Sequence, residues 1–373
     1  NKIQGAIVYL LTALLLWYLF RGTDWGELRE ALGEAHWGWM AAAIALGFMT
    51  FFTRVQRWTY IVRTAKPVSY RKLFSATQIG FMGNFVLPGR IGEVIRAIVL
   101  SRSAALPFSK CFAFVALDRL TDLFGLMLVL IVSIIAFRPP ADIILPEGFI
   151  VEAIPRNAIA QGAITTLVLI VCVTGAFVLL YVRQDLALRL SDWTTGLFAR
   201  MSAAACKRIG LTKISARAQE LPGRLHTMLQ HFADGMHVFR SGTDIAKTLS
   251  FSLLTWGIGL LSYQCTLNIF DFGVDLPWYT GFLVMALLSI FISVPGPPGF
   301  VGTFHVAIFG ALYIVAPEGN HDVYRAVAIV SHMINLSTVL VAGVICLRME
   351  NMGLLALKRA SEAEEPKEAL TET

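Results

Sequence analysis

Long runs of hydrophobic residues, separated by short polar segments, dominate this chain. Six of the runs approach the roughly 20 residues that a helix needs to cross the hydrocarbon core of a bilayer. We predict a membrane-spanning helix in each of these runs. They cover residues 3–20, 37–53, 111–137, 157–182, 248–270 and 326–347.

Two further hydrophobic segments, residues 73–102 and 279–316, are each interrupted by proline and glycine. Their apolar limbs of roughly 10–16 residues are short for a full crossing, so we predict a re-entrant helical hairpin in each. Lipid cannot satisfy the backbone groups that proline and glycine leave unpaired, and such backbone therefore has to line a cavity within the protein. The residues that we assign to the hairpin breaks and to gating are Pro88, Gly89, Pro295, Gly296, Pro297, Pro298, Gly299 and His305.

Charged side chains make up 15% of the residues, whereas a soluble domain carries about 25%. Basic residues are concentrated in two segments, and acidic residues outnumber them in four others. The positive-inside rule places the basic segments in the cytoplasm and the acidic ones outside, with cytoplasmic N- and C-termini. The net charge of +6 does not indicate a nucleic-acid partner, because the basic residues lie in loops between spans. The basic segments are 54–72 and 183–247, and the acidic ones are 21–36, 138–156, 271–278 and 316–323.

This topology has an internal order: span, span, hairpin and span, repeated twice with opposite orientation. It predicts an all-α polytopic membrane protein with an inverted-topology repeat, and in transporters the broken helices of such repeats mark the substrate site. We assign residues 1–137 to the first repeat and 157–347 to the second, which includes cytoplasmic interfacial helices at 183–247. Residues 348–373 form a cytoplasmic tail.

We assign six charged side chains to the apolar spans, and all of them fall between residues 90 and 122. A charge at the bilayer centre costs about 2.5–3.5 kcal/mol on insertion scales, so charges there usually serve a function. Three arginines and three acids give formal neutrality, which makes a mutual ion-pair network plausible. The six are Arg90, Glu93, Arg96, Asp118, Arg119 and Asp122.

Arg90 follows the first break, where the sequence predicts the start of a new half-helix. The free N–H groups and the positive dipole end of such a helix attract anions. The guanidinium fork of Arg90 also matches the geometry of phosphate. We therefore expect the cluster to bind a charged headgroup, with the alternative that its ion pairs only lock the first hairpin onto the third span.

Other polar residues carry weaker signals. His305 is either a proton carrier, a headgroup donor or a satisfied packing residue. His332 belongs to a polar strip in the last span that we expect to form interhelical hydrogen bonds. Arg54 and Arg57 are expected to anchor the end of the second span at the cytoplasmic interface. The five cysteines show no disulfide or zinc spacing, and there is no GxxxxGK[ST] loop, so no cofactor or metal is predicted.

The motifs around the two breaks and the charged cluster resemble those of a known family. This is the flippase-like membrane family represented by the transmembrane region of lysylphosphatidylglycerol synthetase. The resemblance covers nearly the whole chain, and it implies a multi-pass protein of the bacterial inner membrane that moves a polar-headed lipid between leaflets. The motifs are Gly83-Asn84, Leu87-Pro88, Arg90, Gly92-Glu93, Arg96, Asp118-Arg119, Asp122, Pro295-Gly296, Gly299 and Gly302.

The leading hypothesis is therefore a lipid flippase or transporter rather than an enzyme. Its partner would be a membrane lipid with an anionic, phosphate-bearing headgroup. Two alternatives stay open: an accessory subunit that partners a lipid-biosynthesis enzyme, and an intramembrane enzyme acting on a lipid headgroup. The expected substrate-binding residues are Asn84, Arg90, Glu93, Arg96, Asp118, Arg119 and Asp122.

Overall fold

The computed structural model of the protein describes residues 17, 23–87, 90–137, 142–144, 153–182, 196, 242–293, 297–353 and 356. Several predictions lie wholly or mostly outside these residues: the first span, the interfacial helices and the tail. The same holds for four of the residues assigned to the hairpin breaks, Pro88, Gly89, Pro295 and Gly296.

The described residues are almost entirely helical. A pair of two-residue strands, β1 (Ile143–Ile144) and β2 (Ala153–Ile154), is joined antiparallel. A 3-10 turn at Pro298–Phe300 precedes α9. The helices are α1 (Trp25–Gly33), α2 (Trp37–Val62), α3 (Tyr70–Val86), α4 (Gly92–Ala104), α5 (Phe108–Ala136), α6 (Arg156–Val182), α7 (Gly242–Leu267), α8 (Thr280–Ser293), α9 (Thr303–Val315) and α10 (His321–Met349).

Six of the described helical segments are long and apolar enough to cross a membrane. Five of them, in α2, α5, α6, α7 and α10, coincide with predicted spans. The sixth, Pro298–Val315, falls on the second limb of the interrupted segment 279–316. The all-helical membrane-protein class is confirmed.

Side-chain caps set the start of two helices. The Asp24 carboxylate accepts the Gly26 N–H at 2.7 Å at the start of α1. The Asn320 side-chain oxygen accepts the Asp322 N–H at 2.8 Å at the start of α10. Each cap satisfies a backbone donor that has no partner within its own helix. The two caps lie close together, because the Asn320 amide also donates to Glu27 at 3.3 Å.

The four acidic segments lie together at one end of the helix bundle. Leu28, Ile143, Phe272 and Ala316, one from each segment, belong to a single buried hydrophobic cluster. Toward the other end, Arg63 after α2 pairs with Asp244 at the start of α7. Which end faces the cytoplasm stays a prediction.

Helices α3 and α4 form the first hairpin, and they run antiparallel in very close contact. A Cβ atom on Gly92 would lie 2.0 Å from the Gly80 carbonyl oxygen and 2.5 Å from Asn84 Oδ1. At the open end of the hairpin, Lys72 donates to the Ser103 carbonyl at 2.6 Å. Both ends of this hairpin therefore lie on the same side of the bundle.

Helices α8 and α9 form a second hairpin with its open end at the acidic end of the bundle. Tyr279, just before α8, stacks edge-on against Phe137 with ring centroids 6.1 Å apart. Near the end of α9, the Tyr313 hydroxyl donates to the Ile144 carbonyl at 2.6 Å. The two hairpins thus enter the bundle from opposite ends.

The tips of the two hairpins meet. The Phe85 and Phe300 rings contact each other edge to face, with centroids 5.3 Å apart. Arg90 in the first tip donates to the carbonyl oxygen of Ser293, the last residue of α8, at 2.9 Å. Whether each hairpin is re-entrant in a bilayer, and whether the halves are inverted repeats, stays a prediction.

Candidate functional site

An ion-pair network forms where α2, α4 and α5 meet, and Asp118 is at its centre. One Asp118 oxygen accepts from Arg57 at 2.7 Å, and the other accepts from Arg96 at 2.6 Å. All three side chains are at most 1% exposed. The Arg96 guanidinium also lies 3.7 Å from the centre of the Trp58 ring, a cation–π contact.

A second group of charges continues the network along α5 from Asp118. Asp122 pairs with Arg54 at 2.7 Å, with Arg57 at 2.8 Å and with Arg119 at 3.1 Å. Arg119 also lies 3.6 Å from a carboxylate oxygen of Glu93. These ion pairs connect all three helices, so the network has a structural role whatever else it does.

The structure corrects the prediction for Arg54 and Arg57, which are part of the network rather than interface anchors. Arg57 is completely buried, and Arg54 is largely buried. The hydrophobic run ends near residue 53 because these arginines interrupt it, whereas the helix continues to Val62. The sequence signal that could have placed both arginines in the network is their spacing of three residues, which puts them on one helix face.

The expectation of formal neutrality was also wrong. With Arg54 and Arg57 included, the cluster holds eight charged side chains among the described residues. Five are arginines and three are acids, which leaves a formal excess of two positive charges. The eight are Arg54, Arg57, Arg90, Arg96, Arg119, Glu93, Asp118 and Asp122.

Asn84 fixes the position of Glu93. Its amide donates to a Glu93 carboxylate oxygen at 3.3 Å across the first hairpin. The close approach of α3 and α4 at Gly92 makes this contact possible. Asn84 therefore acts through Glu93 in this structure, and it does not line the cavity described below.

Arg90 has a different environment from the other arginines. Its backbone is left-handed, with φ at 57°, and α4 begins two residues later at Gly92. The carbonyl of Ser293 that it contacts is at the C-terminal end of α8, where the helix dipole is negative. The Arg90 Nε–H has no hydrogen-bond partner among the described residues.

A cavity of about 670 Å³ lies beside the network, between α2, α5, α7, α8 and α10. Of the predicted binding residues, four line it, whereas Arg96 and Asp118 are buried behind its wall. Arg54 also lines the cavity, and the sequence had not indicated it. The charged lining residues are Arg54, Arg90, Glu93, Arg119 and Asp122.

The rest of the cavity wall is neutral. Hydroxyl and amide side chains contribute part of it, and aliphatic and aromatic side chains contribute most of the remainder. Such a wall suits a ligand that has a charged end and an apolar body. The neutral polar residues are Thr50, Thr255, Ser262, Tyr263, Ser289, Ser293, Asn335 and Thr338, and the apolar ones include Phe112, Leu126, Trp256, Met285, Leu288 and Ile292.

Two histidines hold the second hairpin tip in shape. His305 Nδ1 accepts the Gly302 N–H at 3.3 Å, and its ring packs edge-on against His332 at 4.7 Å. His332 Nε2 lies 2.7 Å from the carbonyl oxygen of Gly299, which has a left-handed φ of 70°. Pro297, Pro298, Gly299 and His305 do not line the cavity, and their assignment to gating stays a prediction.

The sequence matches the family model described as the lysylphosphatidylglycerol synthase TM region over residues 4–343. The chain belongs to this family. Among curated relatives, a UPF0104 membrane protein from Methanothermobacter thermautotrophicus is 23% identical over 307 residues, which cover 81% of this chain and 82% of the relative. No solved structure matches the chain significantly.

A second curated relative is the glycosyltransferase AglD of Haloferax volcanii. It is 32% identical over 118 residues, which cover 31% of this chain and 18% of that protein. The likeness is therefore confined to a small part of the glycosyltransferase.

Proposed function

We propose that this protein is a lipid flippase or transporter that moves a phosphate-bearing lipid between the leaflets of a bacterial inner membrane. The observation that supports it is the cavity beside the hairpin tips. Three arginines lie on one part of its wall, and most of the rest is apolar. A headgroup would bind the arginines while its tails stay in contact with apolar side chains or lipid.

The ion pairs around the cavity suit reversible binding of an anion. Arg54 and Arg119 are 19% and 33% exposed, so an incoming anion can reach them, whereas Arg57 and Arg96 are buried. Asp122 and Glu93 pair with the exposed arginines when no headgroup is bound. The buried pairs around Asp118 hold the helices in place throughout.

The two hairpins supply the means of changing access. We propose that both are re-entrant and belong to inverted repeats, as the order of the segments predicts. Their tips meet beside the cavity through the contacts of Arg90 with Ser293 and of Phe85 with Phe300. Movement of one repeat against the other would separate these contacts and open the cavity to the opposite leaflet.

A second candidate is an accessory membrane module of an envelope-lipid biosynthesis enzyme. The comparisons favour it over an intramembrane enzyme, because the family is named for one region of a synthase and AglD shares only 18% of its length with this chain. In that role the charged cluster would be structural, and the module would move no lipid by itself.

Reconstitution in liposomes with acyl-labelled lipids distinguishes these candidates. We expect the protein to expose inner-leaflet lipid to an external quencher, and Arg90→Ala to slow this strongly while keeping the wild-type melting temperature. The control is Arg63→Ala, which removes an exposed arginine outside the cavity. Chemically altered lipid in the mass spectrum would indicate an enzyme, and wild-type protein that moves no lipid would contradict the transport proposal.

A further inference from the structure

The acids of the charged cluster are too few to neutralise all of its arginines. Asp118 is within ion-pair distance of Arg57, Arg96 and Arg119. Asp122 likewise pairs with three arginines, two of which it shares with Asp118. The five arginines and three acids leave an excess of two positive charges, and each aspartate is already shared among three arginines.

The described cavity wall supplies no further acidic side chain. Apart from the charged residues already named, the cavity wall consists of neutral side chains. The tip residues at 88–89 and 294–296 are proline, glycine and valine, which carry no charge. An uncompensated charge in the interior of a helical membrane protein is costly, so the excess indicates a counter-ion supplied from outside the chain.

Two of the arginines around the cavity also have unsatisfied donors. Arg90 and Arg119 each have a buried Nε–H without a hydrogen-bond partner among the described residues. Arg119 Nε faces Glu93 at 3.6 Å, which is too long for a hydrogen bond. Together with Arg54, these two residues bring three guanidinium groups to one cavity. Guanidinium forks are well matched to phosphate oxygens.

We propose that the site selects a lipid whose headgroup carries two negative charges, such as a phosphate monoester or a pyrophosphate. Singly charged phosphodiester headgroups and zwitterionic headgroups would leave part of the positive charge uncompensated. This inference rests on the proposed function, because it names the substrate class of the same cavity.

The first experiment compares three acyl-labelled lipids in liposomes containing the full-length protein. Phosphatidate approaches two negative charges near pH 8, phosphatidylglycerol has one, and phosphatidylcholine is zwitterionic. We expect phosphatidate to move about tenfold faster than phosphatidylglycerol, since one unit charge at a separation of several ångströms in a protein interior is worth at least that factor. Phosphatidylcholine should be slowest.

Two variants that each remove one charge change the net charge of the site in opposite directions. Arg90→Gln lowers the excess from two to one, and the phosphatidate-to-phosphatidylglycerol rate ratio should fall to about one. Glu93→Gln raises the excess to three while keeping an oxygen that can accept from Asn84. The phosphatidate-to-phosphatidylglycerol rate ratio of Glu93→Gln should rise about tenfold. A ratio compares two lipids on the same protein, so partial misfolding cannot produce opposite changes.

A binding measurement separates failure of this inference from failure of transport. The melting temperature in detergent should rise more with phosphatidate than with phosphatidylglycerol or phosphatidylcholine. If phosphatidate selectively stabilises the protein but no lipid is moved, the flippase proposal is contradicted, whereas selectivity for a doubly charged headgroup is supported. If all three lipids are moved at equal rates and both variants leave the rate ratio unchanged, selectivity for a doubly charged headgroup is overturned, whereas the flippase proposal stands.

A last measurement tests whether the site recognises the phosphate of a lipid or free phosphate. Inorganic phosphate and glycerol 3-phosphate carry the same charge as the proposed headgroup but have no acyl chains. We expect neither at millimolar concentration to raise the melting temperature as phosphatidate does. Equal stabilisation by these soluble anions would show that the site recognises free phosphate and would overturn the lipid assignment.

Discussion

At the scale of single residues, Asp118 and its two buried arginines determine how the site is held together. The carboxylate has one oxygen on Arg57 and one on Arg96, and these come from different helices. A buried ion pair contributes little net stability compared with a hydrophobic contact, but removal of one partner leaves an uncompensated charge. The same residues therefore have a structural role and lie behind the cavity wall rather than on it.

We expect Arg57→Met to lower the free energy of unfolding by about 3–5 kcal/mol, because Asp118 and Asp122 each lose a buried partner. Thermal unfolding in detergent would measure the change as a lower melting temperature. Arg63→Ala, whose parent side chain is 40% exposed, should cost at most about 1 kcal/mol. Equal melting temperatures for the two variants would show that the buried network is not a structural lock.

At the scale of elements, the first hairpin depends on a glycine contact. Gly92 lies directly against the Gly80 backbone, and this contact brings Glu93 within reach of Asn84. Side chains larger than hydrogen would force α3 and α4 apart. The hairpin therefore positions one wall of the cavity through its packing as well as through its charged residues.

Gly92→Ala should destabilise the protein by about 1–3 kcal/mol or more, because the new methyl group would overlap the Gly80 carbonyl oxygen. The matched control is Gly310→Ala within α9, where no atom lies within 4 Å of the added Cβ. There, alanine should stabilise the helix by about 0.5–1 kcal/mol. Melting temperatures that change in the same direction for both variants would contradict the close-packing argument.

At the scale of the whole molecule, two hairpins entering from opposite ends meet at their tips beside one cavity. Neither hairpin alone encloses the cavity, because its walls also include residues of α2, α5, α7 and α10. The tip contacts include one aromatic pair and one hydrogen bond to a backbone carbonyl. An interface of that kind can separate and re-form at moderate cost.

We expect a cross-link between the tips to stop lipid movement. The variant carries Phe85→Cys and Phe300→Cys in a background without the native cysteines, and a short cleavable bis-maleimide joins the two sites. Transport should fall to background and return on cleavage. A cross-link between Lys72→Cys and Ser103→Cys within the first hairpin should leave transport intact. Full activity with the tips joined would exclude their separation as the access step.

The orientation predicted from charge is tested by labelling single cysteines in cells. Lys66→Cys and Asp275→Cys replace exposed residues at the basic and acidic ends, respectively. An impermeant maleimide added outside spheroplasts should label the Asp275 variant, and the Lys66 variant should react only after permeabilisation. The reverse pattern would invert the topology and place the first hairpin on the outer side.

The sequence by itself determined the helical membrane class, five of the spans and the positions of both breaks. It could do so because apolar length and proline–glycine interruptions act locally along the chain. It also identified Arg90, Glu93, Arg119 and Asp122, which line the cavity, because charge is conspicuous in an apolar segment. The resemblance to the lysylphosphatidylglycerol synthetase family followed from the same local motifs.

Only the tertiary structure decided which charges share one site. Arg54 and Arg57 lie 61 or more residues from their carboxylate partners along the chain, and a basic helix end looks the same whether it faces lipid headgroups or a buried acid. The meeting of the two hairpin tips and the excess of two positive charges depend on the same long-range packing. The sequence located the charged cluster, and the fold determined its composition, its net charge and the cavity that it faces.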